Sequence, residues 1–167
     1  MLVDGDRVTR VGGTALGGGT FTGLGAALTG ISDFEGLIGL ARQGDRRRVD
    51  LLVSDIYRGG DLPLPGDLTA SSFAKLADPD RRPAASPADL AHALLGLVGE
   101  NVGLICGALA LSVGVKRIVF GGTTLRANPA LAEILRSLCT KFGCEAVFLR
   151  DGEFAGALGA LEIAARR

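Results

Sequence analysis

The sequence predicts a single α/β domain, spanning residues 1–167, in which helices dominate. Three observations indicate this class. A short strand-like segment at 7–11 runs into a glycine-rich turn that opens a helical pattern. A long and mostly apolar helical stretch follows at 87–113, and two strand–helix pairs close the chain at 116–142 and 144–165. We therefore expect a sheet flanked by helices, with the long helix buried.

The first residues predict a hairpin, because the Asp-Gly pair at 4–5 is a turn signal between short apolar stretches. A strand pair with almost nothing before it suggests either a piece of a larger protein or a subunit that completes its sheet with another chain. A small-residue helix is predicted over 20–28. Ser32 as N-cap and Glu35 three residues later predict a capping box for a second helix that runs to about Arg42.

The middle of the chain is less regular. Apolar residues spaced along 49–57 predict an amphipathic helix. Residues 58–68 are predicted as loop and 78–85 as an exposed connector. Between them, residues 69–76 are expected to form a short strand or turn followed by one helical turn.

Two helix starts in the second half carry clear signals. Ser86 is a cap residue directly before Pro87 at the first helical position, and Asn128 stands in the same relation to Pro129. The first of these helices is predicted to reach residue 112 or 113. The final helix is predicted over 155–165.

Four residues inside these helices need an interpretation. Asn101 interrupts an apolar stretch, so it needs a partner and is either a structural hydrogen-bonding residue or a ligand contact. His92 is the only histidine of the chain, and we interpret it as a surface or packing residue rather than a catalytic one. Gly156 and Gly159 are expected on the packing side of the last helix.

The composition excludes several classes of partner. The chain has 18 basic and 18 acidic residues and a net charge of zero, which gives no basic surface for nucleic acid and no polybasic membrane signal. Acidic residues stand where a signal peptide would carry basic ones. The longest apolar run, 102–115, has about 14 residues, and a membrane span needs about 20. We therefore expect no membrane association.

The three cysteines point to a reducing compartment. The sequence has an odd number of cysteines, Cys106, Cys139 and Cys144, and it has no Cys-x-x-Cys motif. Cys106 lies in an apolar run and is predicted to be a small core residue, and no histidine stands near the other two. These features favour reduced thiols in a cytoplasmic protein without a metal site.

The turn before the first helix carries the strongest chemical signal. Between Thr14 and Thr20 the chain places Gly17, Gly18 and Gly19 in succession. Such glycines let another group approach the backbone, successive N–H groups can form an anion-binding nest, and a following helix adds its dipole. The two threonines add hydroxyl donors at both ends. Phosphate binding is one interpretation, and close packing at a strand-to-helix turn is the other.

Two common phosphate motifs are excluded here. No Gly-Lys-Ser/Thr follows the turn, so it is not a P-loop, and no Gly-x-Gly-x-x-Gly opens the helix.

A second glycine turn, Gly121-Gly122, ends the buried strand predicted from residue 116. In open α/β sheets, ligands bind outside the carboxyl ends of the strands. One turn can then hold phosphates while the other lies flat against a base or ribose, since a side chain at Gly121 or Gly122 would stand where a purine stacks. Together the two turns favour nucleotide binding more than either does alone.

Eight segments, in order along nearly the whole chain, carry a family resemblance. They are RVGGTALGGGTF from Arg10, LTG from Leu28, VSDIY from Val53, ASSF from Ala70, DLA from Asp89, NVG from Asn101, IVFGG from Ile118 and FLRDGEFAGALGAL from Phe148. Together they resemble the C-terminal half of the eukaryotic-type (type II) pantothenate kinases, of the actin/hexokinase/Hsp70-like ATPase superfamily.

The resemblance implies a ribonuclease-H-like lobe and an ATP- and Mg²⁺-dependent transfer of phosphate to the hydroxyl of pantothenate, the first step of coenzyme A synthesis. It also implies a homodimer through the long helix and feedback by acyl-CoA. By position, the glycines at 17–19 match the nucleotide-phosphate loop of the family, and Gly121 and Gly122 match its adenosine side. Arg10 matches an arginine that contacts pantothenate or acyl-CoA, and a guanidinium can grip a carboxylate or phosphate with two parallel hydrogen bonds.

The chain also departs from the family. Ala15 stands where the family usually has serine, and Glu100 replaces asparagine or a similar polar residue. The N-terminal half of the family, with its first phosphate loop, its Mg²⁺-associated aspartate and its general-base glutamate, has no counterpart here. We therefore assign no catalytic or metal-binding residue, expect Asp55 to be a cap or ion-pair member, and expect the chain alone to be inactive.

Alternatives from different classes stay open. The chain is either the ATP- and substrate-binding lobe of a pantothenate kinase or a non-catalytic regulatory or dimerisation subunit that binds nucleotide or acyl-CoA. The N-terminal lobe can be a separate polypeptide, part of a longer parent chain, or lost. A third interpretation is another sugar or acid kinase of the same superfamily.

Overall fold

A computed structural model describes residues 1–57, 65–80 and 85–166, so the predicted loop at 58–68 and the predicted connector at 78–85 lie partly outside the described residues. The described part of the chain has a mixed α/β fold, as predicted. Its strands are β1 (Leu2–Asp4), β2 (Arg7–Thr9), β3 (Leu51–Leu52), β4 (Thr69–Ser71), β5 (Arg117–Phe120) and β6 (Glu145–Phe148). Its α-helices are α1 (Gly18–Thr29), α2 (Phe34–Ala41), α3 (Val53–Ile56), α4 (Pro87–Val113), α5 (Pro129–Lys141) and α6 (Ala155–Ala165).

The chain divides into two compact units. The first comprises Met1–Gly18 with Gly99–Arg167, and the second comprises Gly19–Val98. The boundary between them falls within α4. Three two-stranded sheets occur among the described residues: antiparallel β1–β2, antiparallel β3–β4 and parallel β5–β6.

In the second unit, α1 packs on α2 around two aromatic rings. Phe21 is fully buried and meets Phe34 edge-on, with ring centroids 5.9 Å apart. The N-cap of α2 is Asp33, whose Oδ1 accepts the N–H of Gly36 at 2.6 Å, and not Ser32. The predicted N-cap is therefore wrong by one residue. The carboxylate of Asp33 reaches a free N–H group of the first helical turn, and the positive end of the helix dipole stabilises its charge.

The predicted helix over 49–57 is wrong in its first half, where the chain forms β3 before the single turn α3. A tertiary contact overrides the helical period. Asp50 is completely buried, and its Oδ1 accepts the N–H of Phe73, which follows β4, at 2.9 Å. Burial of a carboxylate without a hydrogen-bond partner would be costly. The bond to Phe73 supplies a partner and holds the segment extended beside β4. The strand and helical turn predicted over 69–76 are confirmed by β4 and a short 3₁₀ turn at Ala74–Ala77.

Asp55 is a structural residue, as predicted. Its Oδ2 accepts the N–H of Leu52 at 2.8 Å and lies 2.6 Å from Nζ of Lys75. The carboxylate therefore both caps α3 and forms an ion pair.

The predicted start of α4 is confirmed in detail. Buried Asp89 accepts hydrogen bonds from the N–H and hydroxyl of Ser86 at 2.9 and 2.8 Å, and Ser86 Oγ accepts the N–H of Asp89 at 3.2 Å. The other carboxylate oxygen of Asp89 accepts the N–H of Asp45 at 2.7 Å. Burial alone would raise the pKa of Asp89, but these hydrogen bonds, with the charge of Arg48, outweigh it and hold the pKa below its usual value.

His92 has a packing role, as interpreted from the sequence. Its Nδ1 lies 2.6 Å from the carbonyl oxygen of Gly44, within the second unit. This contact joins α4 to the segment that follows α2.

In the first unit, glycines on α4 form a shallow channel for α5. A Cβ built on Gly103 would lie 2.6 Å from Cδ1 of Leu138, and a Cβ on Gly99 would lie 2.9 Å from Leu131. Gly107 faces the ring of Phe142 in the same way. Because the three glycines are four residues apart, they share one helix face, and α5 approaches closer there than side chains would allow.

One helix in the described part of the chain, α4, has the length and composition of a membrane span, with a mean hydropathy of 1.8 over its most apolar 18 residues. The uninterrupted apolar run of about 14 residues lies within this helix of 27 residues, and the membrane-span test, which allows up to two charged residues in its window, also admits the residues before that run. Half of that window is buried in the protein, and buried core helices pass the same test. The helices α1 and α2 pass the same test only when they are taken together as one broken span, and they meet at a bend of 71°.

Two predictions of burial near the C-terminus are wrong. Every residue of α6 is exposed, and a Cβ on Gly156 or Gly159 would meet nothing within 4 Å, so these glycines do not mark a packing face. The strand β5 was expected to be buried, but Val119 is 54% exposed. The first unit thus presents apolar surface on both elements.

Candidate functional site

The first glycine turn leads directly into a helix. The helix α1 begins at Gly18, two residues earlier than predicted, so Gly18, Gly19 and Thr20 form its first turn. The positive end of the helix dipole therefore lies at the glycines. Before the helix, Thr14 Oγ1 accepts the N–H of Leu16 at 3.1 Å, which shapes the turn locally.

The three successive glycines differ in their surroundings. A Cβ built on Gly17 or Gly19 would meet nothing within 4 Å, whereas one on Gly18 would lie 2.5 Å from Oγ1 of Thr124. Packing therefore explains the absence of a side chain at Gly18. It does not explain Gly17 and Gly19, which border open space.

The second glycine turn packs backbone against backbone. The N–H of Gly122 donates to the carbonyl oxygen of Gly152 at 3.0 Å, and a Cβ on Gly121 would lie 3.3 Å from that oxygen and 3.1 Å from Leu149 Cδ1. Gly122 has φ +116°, a conformation that favours glycine, and the direction of its missing side chain is open. Close packing thus accounts for Gly121, and backbone conformation accounts for Gly122.

The structure brings the two glycine turns together within the first unit. Thr124, the neighbour of Gly18, belongs to the 3₁₀ turn Thr123–Leu125 that directly follows Gly122. The sequence did not indicate Thr124, because nothing in its local pattern shows that it contacts a residue more than 100 positions earlier.

A cavity of about 370 Å³ borders the second turn. Gly121, Gly122 and Gly152 line it on one side, and residues from the start and middle of α5, among them Asn128 and Arg136, line it on the other. Its volume is in the range of small-molecule sites.

Aromatic stacking supports the wall of this cavity. The ring of Phe148, which lines the cavity, stacks on Phe120 with centroids 5.5 Å apart, and the guanidinium of Arg136 lies 5.2 Å from the Phe148 centroid. A cation over a ring face is favourable and fixes the guanidinium at the cavity wall. Sequence reasoning missed both Phe148 and Arg136 as cavity residues, since their helix and strand patterns predict only packing.

The predicted substrate residue Arg10 lies at the start of the first turn. It is exposed, and one of its guanidinium nitrogens is 3.2 Å from the position of a Cβ on Gly13. The guanidinium therefore folds over the glycine turn. Its role in binding pantothenate or acyl-CoA stays a prediction, as do the binding roles of the other predicted residues.

No group of three or more histidine, cysteine, aspartate or glutamate side chains with metal-binding geometry occurs in residues 1–57, 65–80 and 85–166. Cys139 is completely buried, and burial raises its pKa to about 11, so it is an unreactive core thiol. Cys106 is half-buried rather than fully in the core.

A mixed α/β fold, with one glycine turn at a helix N-terminus and a second beside a cavity at a strand end, is typical of proteins that bind ligands at the carboxyl ends of strands. Comparison with known proteins gives a more specific classification. Residues 1–162 match the Fumble family, and the chain therefore belongs to that family.

Several curated relatives are similar to almost the whole chain. It is 36% identical over 161 residues to a type II pantothenate kinase of Staphylococcus haemolyticus, covering 95% of this chain and 59% of the relative. It is 41% identical over 153 residues to the type II pantothenate kinase of Oceanobacillus iheyensis, covering 91% and 57%. A 4'-phosphopantetheine phosphatase of Mus musculus is 39% identical over 160 residues, covering 93% of this chain and 19% of the relative.

The chain thus spans somewhat more than half the length of the two bacterial relatives and matches their C-terminal parts. The resemblance to type II pantothenate kinases predicted from the sequence is confirmed.

Proposed function

We propose that this chain is the ATP- and substrate-binding part of a pantothenate kinase, which phosphorylates pantothenate in the first step of coenzyme A synthesis. The names of the two bacterial relatives support the activity. The structural observation that supports it is the contact between Gly18 and Thr124, because this contact brings the two glycine turns side by side.

In this proposal the ATP phosphates lie at the N-terminal end of α1, where the dipole and the open positions of Gly17 and Gly19 favour an anion. Thr14 and Thr20 flank the phosphates. The adenosine lies at Gly121 and Gly122, beside the cavity lined by Phe148 and Arg136. Arg10 binds the carboxylate of pantothenate, or a phosphate of an acyl-CoA that takes its place.

The proposal leaves Mg²⁺ and the general base to a second part of the enzyme. When bound, Mg²⁺ would neutralise charge on the transferred phosphoryl group. This chain contributes positioning: its glycine turns orient the nucleotide, and its arginine orients the acceptor. We therefore expect no turnover from the chain by itself.

The same proposal includes a ribonuclease-H-like lobe, a cytoplasmic location and a homodimer through α4. The glycine face of α4 is occupied by α5, so a dimer would use another face. Leu104, Ala108 and Leu111 are exposed and spaced four and three residues apart, which places them on one stripe of α4. That stripe is apolar and fits a helix–helix contact between two copies.

The test of the proposed ATP site uses two glycines of the same helix. Both Gly19 and Gly23 have open space at the Cβ position, so Gly19→Ala and Gly23→Ala should each leave the fold intact. Gly23 lies in the middle of α1, and its replacement by alanine should stabilise the helix by about 0.5–1 kcal/mol. Only Gly19→Ala should weaken binding of ATP measured by calorimetry, by about tenfold or more. Equal ATP affinity in both variants would contradict the phosphate assignment.

The activity is tested separately. The chain should show no phosphorylation of pantothenate alone, and turnover should appear when the N-terminal part of a bacterial relative is added. Turnover by the chain alone would show that a base exists within it.

A second candidate function is a non-catalytic subunit or module that binds nucleotide or acyl-CoA. The observation that favours it is the mouse relative, which carries the name of a phosphatase and of which this chain matches only 19%. Members of the family thus occur within proteins named for a different activity. Acyl-CoA binding with no turnover in any mixture would favour this function over the kinase.

A further inference from the structure

Asn128 is a buried polar residue at the junction between the second glycine turn and α5. The residue is 2% exposed and is the N-cap of the helix, and its Oδ1 accepts the N–H of Leu131 at 3.2 Å. Its Nδ2 donates a second hydrogen bond, at 3.1 Å, to the carbonyl oxygen of Thr124 in the 3₁₀ turn that follows Gly122. The side-chain amide therefore joins α5 to that turn.

The second hydrogen bond is not needed for capping. Serine and aspartate cap helices equally well, because capping requires only a side-chain acceptor. A side-chain amide differs in carrying its acceptor and its N–H donor on separate atoms of one short planar group. The backbone of Asn128 is held as well, since its N–H donates to the carbonyl oxygen of Leu125 and its carbonyl oxygen accepts the N–H of Ala132, each at 3.2 Å.

The residue before Asn128 is held in a strained conformation. Ala127, which lines the cavity, has φ +49°, in the left-handed region that residues with a Cβ seldom adopt. Such a conformation persists only where the surrounding structure imposes it, and it is concentrated at functional positions. Asn128 imposes it here, because its side chain bonds to the turn on one side of Ala127 and to α5 on the other. The loop beside the cavity is therefore fixed before any ligand binds.

The turn that Asn128 holds is also the one that contacts the first glycine turn. Oγ1 of Thr124 lies 2.5 Å from the Cβ position on Gly18, so the position of Thr124 determines how closely the two turns approach. Asn128 itself lines the cavity beside Gly121 and Gly122. It thus borders one half of the proposed nucleotide site and reaches the other half through Thr124. All of these residues belong to the first unit.

We propose that Asn128 is a positioning residue for the nucleotide. Its amide holds Thr124 against Gly18 and so fixes the distance between the phosphate end and the adenosine end of the site. A site whose two ends are already in register loses less free energy on ordering when a ligand spans them. The identity of the ligand rests on the proposed function, whereas the hydrogen-bonded link between the two turns does not depend on it.

Two substitutions separate this link from the capping of α5. Asn128→Asp keeps an acceptor for the N–H of Leu131, but its carboxylate cannot donate to the carbonyl oxygen of Thr124. Asn128→Ser keeps a capping oxygen without adding a charge and lacks the amide nitrogen, so it serves if the aspartate variant does not fold. The control is Ser86→Ala, which removes the hydroxyl that accepts the N–H of Asp89 at the start of α4 and does not line the cavity. Circular dichroism checks the fold of each variant.

The first measurement needs no ligand. Gly18→Ala places a methyl group against Oγ1 of Thr124, so the stability that it loses in urea denaturation reports how firmly Thr124 is held. In either Asn128 variant the turn is free to move away, and the loss caused by Gly18→Ala should fall to about half or less of its value in the unmodified chain. In the Ser86→Ala background the loss should be unchanged.

The second measurement compares two ligands, ATP by calorimetry and adenosine by NMR titration. ATP spans both turns in the proposed site, so both Asn128 variants should weaken its binding by about tenfold or more. Adenosine reaches only the second turn and should lose no more than about twofold. Because Asn128→Ser adds no charge, weaker ATP binding in that variant cannot come from repulsion of the phosphates. Ser86→Ala should leave both affinities within about twofold.

An unchanged Gly18→Ala loss in both Asn128 variants would overturn the proposal and leave Asn128 as a helix cap alone. Equal weakening of ATP and adenosine would also overturn it, because Asn128 would then act as a direct contact of the nucleoside. A chain in which the Gly18→Ala loss changes as expected but which binds no ATP would contradict the proposed function, and Asn128 would remain the residue that links the two turns.

Discussion

The contact between Gly18 and Thr124 can be tested by a double-mutant cycle. In Gly18→Ala the new Cβ would lie 2.5 Å from Thr124 Oγ1, roughly 0.9 Å closer than an ordinary contact of about 3.4 Å. Overpacking of this kind costs about 1–3 kcal/mol. Rotation of the threonine can relieve part of it, at about 0.5–1.5 kcal/mol. We expect Gly18→Ala to lower the free energy of unfolding by about 1–2 kcal/mol.

The penalty should vanish when the hydroxyl is removed. In a Thr124→Ala background, the closest remaining atom is the Cβ of residue 124, which lies 3.6 Å from the Cβ position on Gly18 and is an ordinary neighbour. A coupling free energy of about 1–2 kcal/mol is therefore expected from urea denaturation of the four proteins. Thr124→Ser is the matched control, since it keeps Oγ1 and should preserve most of the penalty.

An equal penalty in the Thr124→Ala background would refute this reasoning. The two glycine turns would then not be neighbours, and the structural support for a common nucleotide site would be lost. Measuring ATP affinity in the same four proteins separates packing from ligand binding. If a phosphate occupies the turn, Gly18→Ala should weaken ATP binding even where Thr124→Ala restores stability.

Three further predictions concern the fold. Asp89→Ala removes the acceptor of three hydrogen bonds and should cost about 3–5 kcal/mol in urea denaturation. Because the pKa of Asp89 is lower in the folded state, the carboxylate stabilises the protein above pH ~4, and this contribution is lost as the pH falls further. The difference in free energy of unfolding between Asp89→Ala and the unmodified chain should therefore become smaller at low pH. A difference that does not change with pH would contradict this prediction. Gly103→Ala should cost about 1–3 kcal/mol, since the Cβ would press on Leu138, and a stabilised variant would contradict the close approach of α5 to α4. Iodoacetamide should modify half-buried Cys106 before buried Cys139, as read by mass spectrometry, and the reverse order would contradict their burial.

Much of the fold was predictable because its signals are local. The starts of α4 and α5 depend on a cap residue followed by proline, and both were predicted to the residue. The N-terminal hairpin depends on an Asp-Gly turn, in which Gly5 has φ +57°. These features need no information from distant parts of the chain.

The errors share a different origin. The strand β3 replaced a predicted helix because buried Asp50 accepts a hydrogen bond from Phe73, 23 residues away. The sequence pattern predicted the same phosphate-binding role for Gly17, Gly18 and Gly19. In the structure, however, Gly18 faces Thr124, whereas its two neighbours face open space. Such distinctions depend on which segments meet, and periodicity carries no information about that.

The glycine channel on α4 has a consequence for the cavity. One side of α5 rests in that channel, and both Arg136 of this helix and its N-cap residue Asn128 line the cavity. The width of the cavity is therefore set in part by three glycines that do not line it. A variant at Gly99 or Gly103 that still folds would therefore change the width of the cavity without lining it. Under the proposed function, such a variant would change the affinity for ATP although neither residue touches the nucleotide.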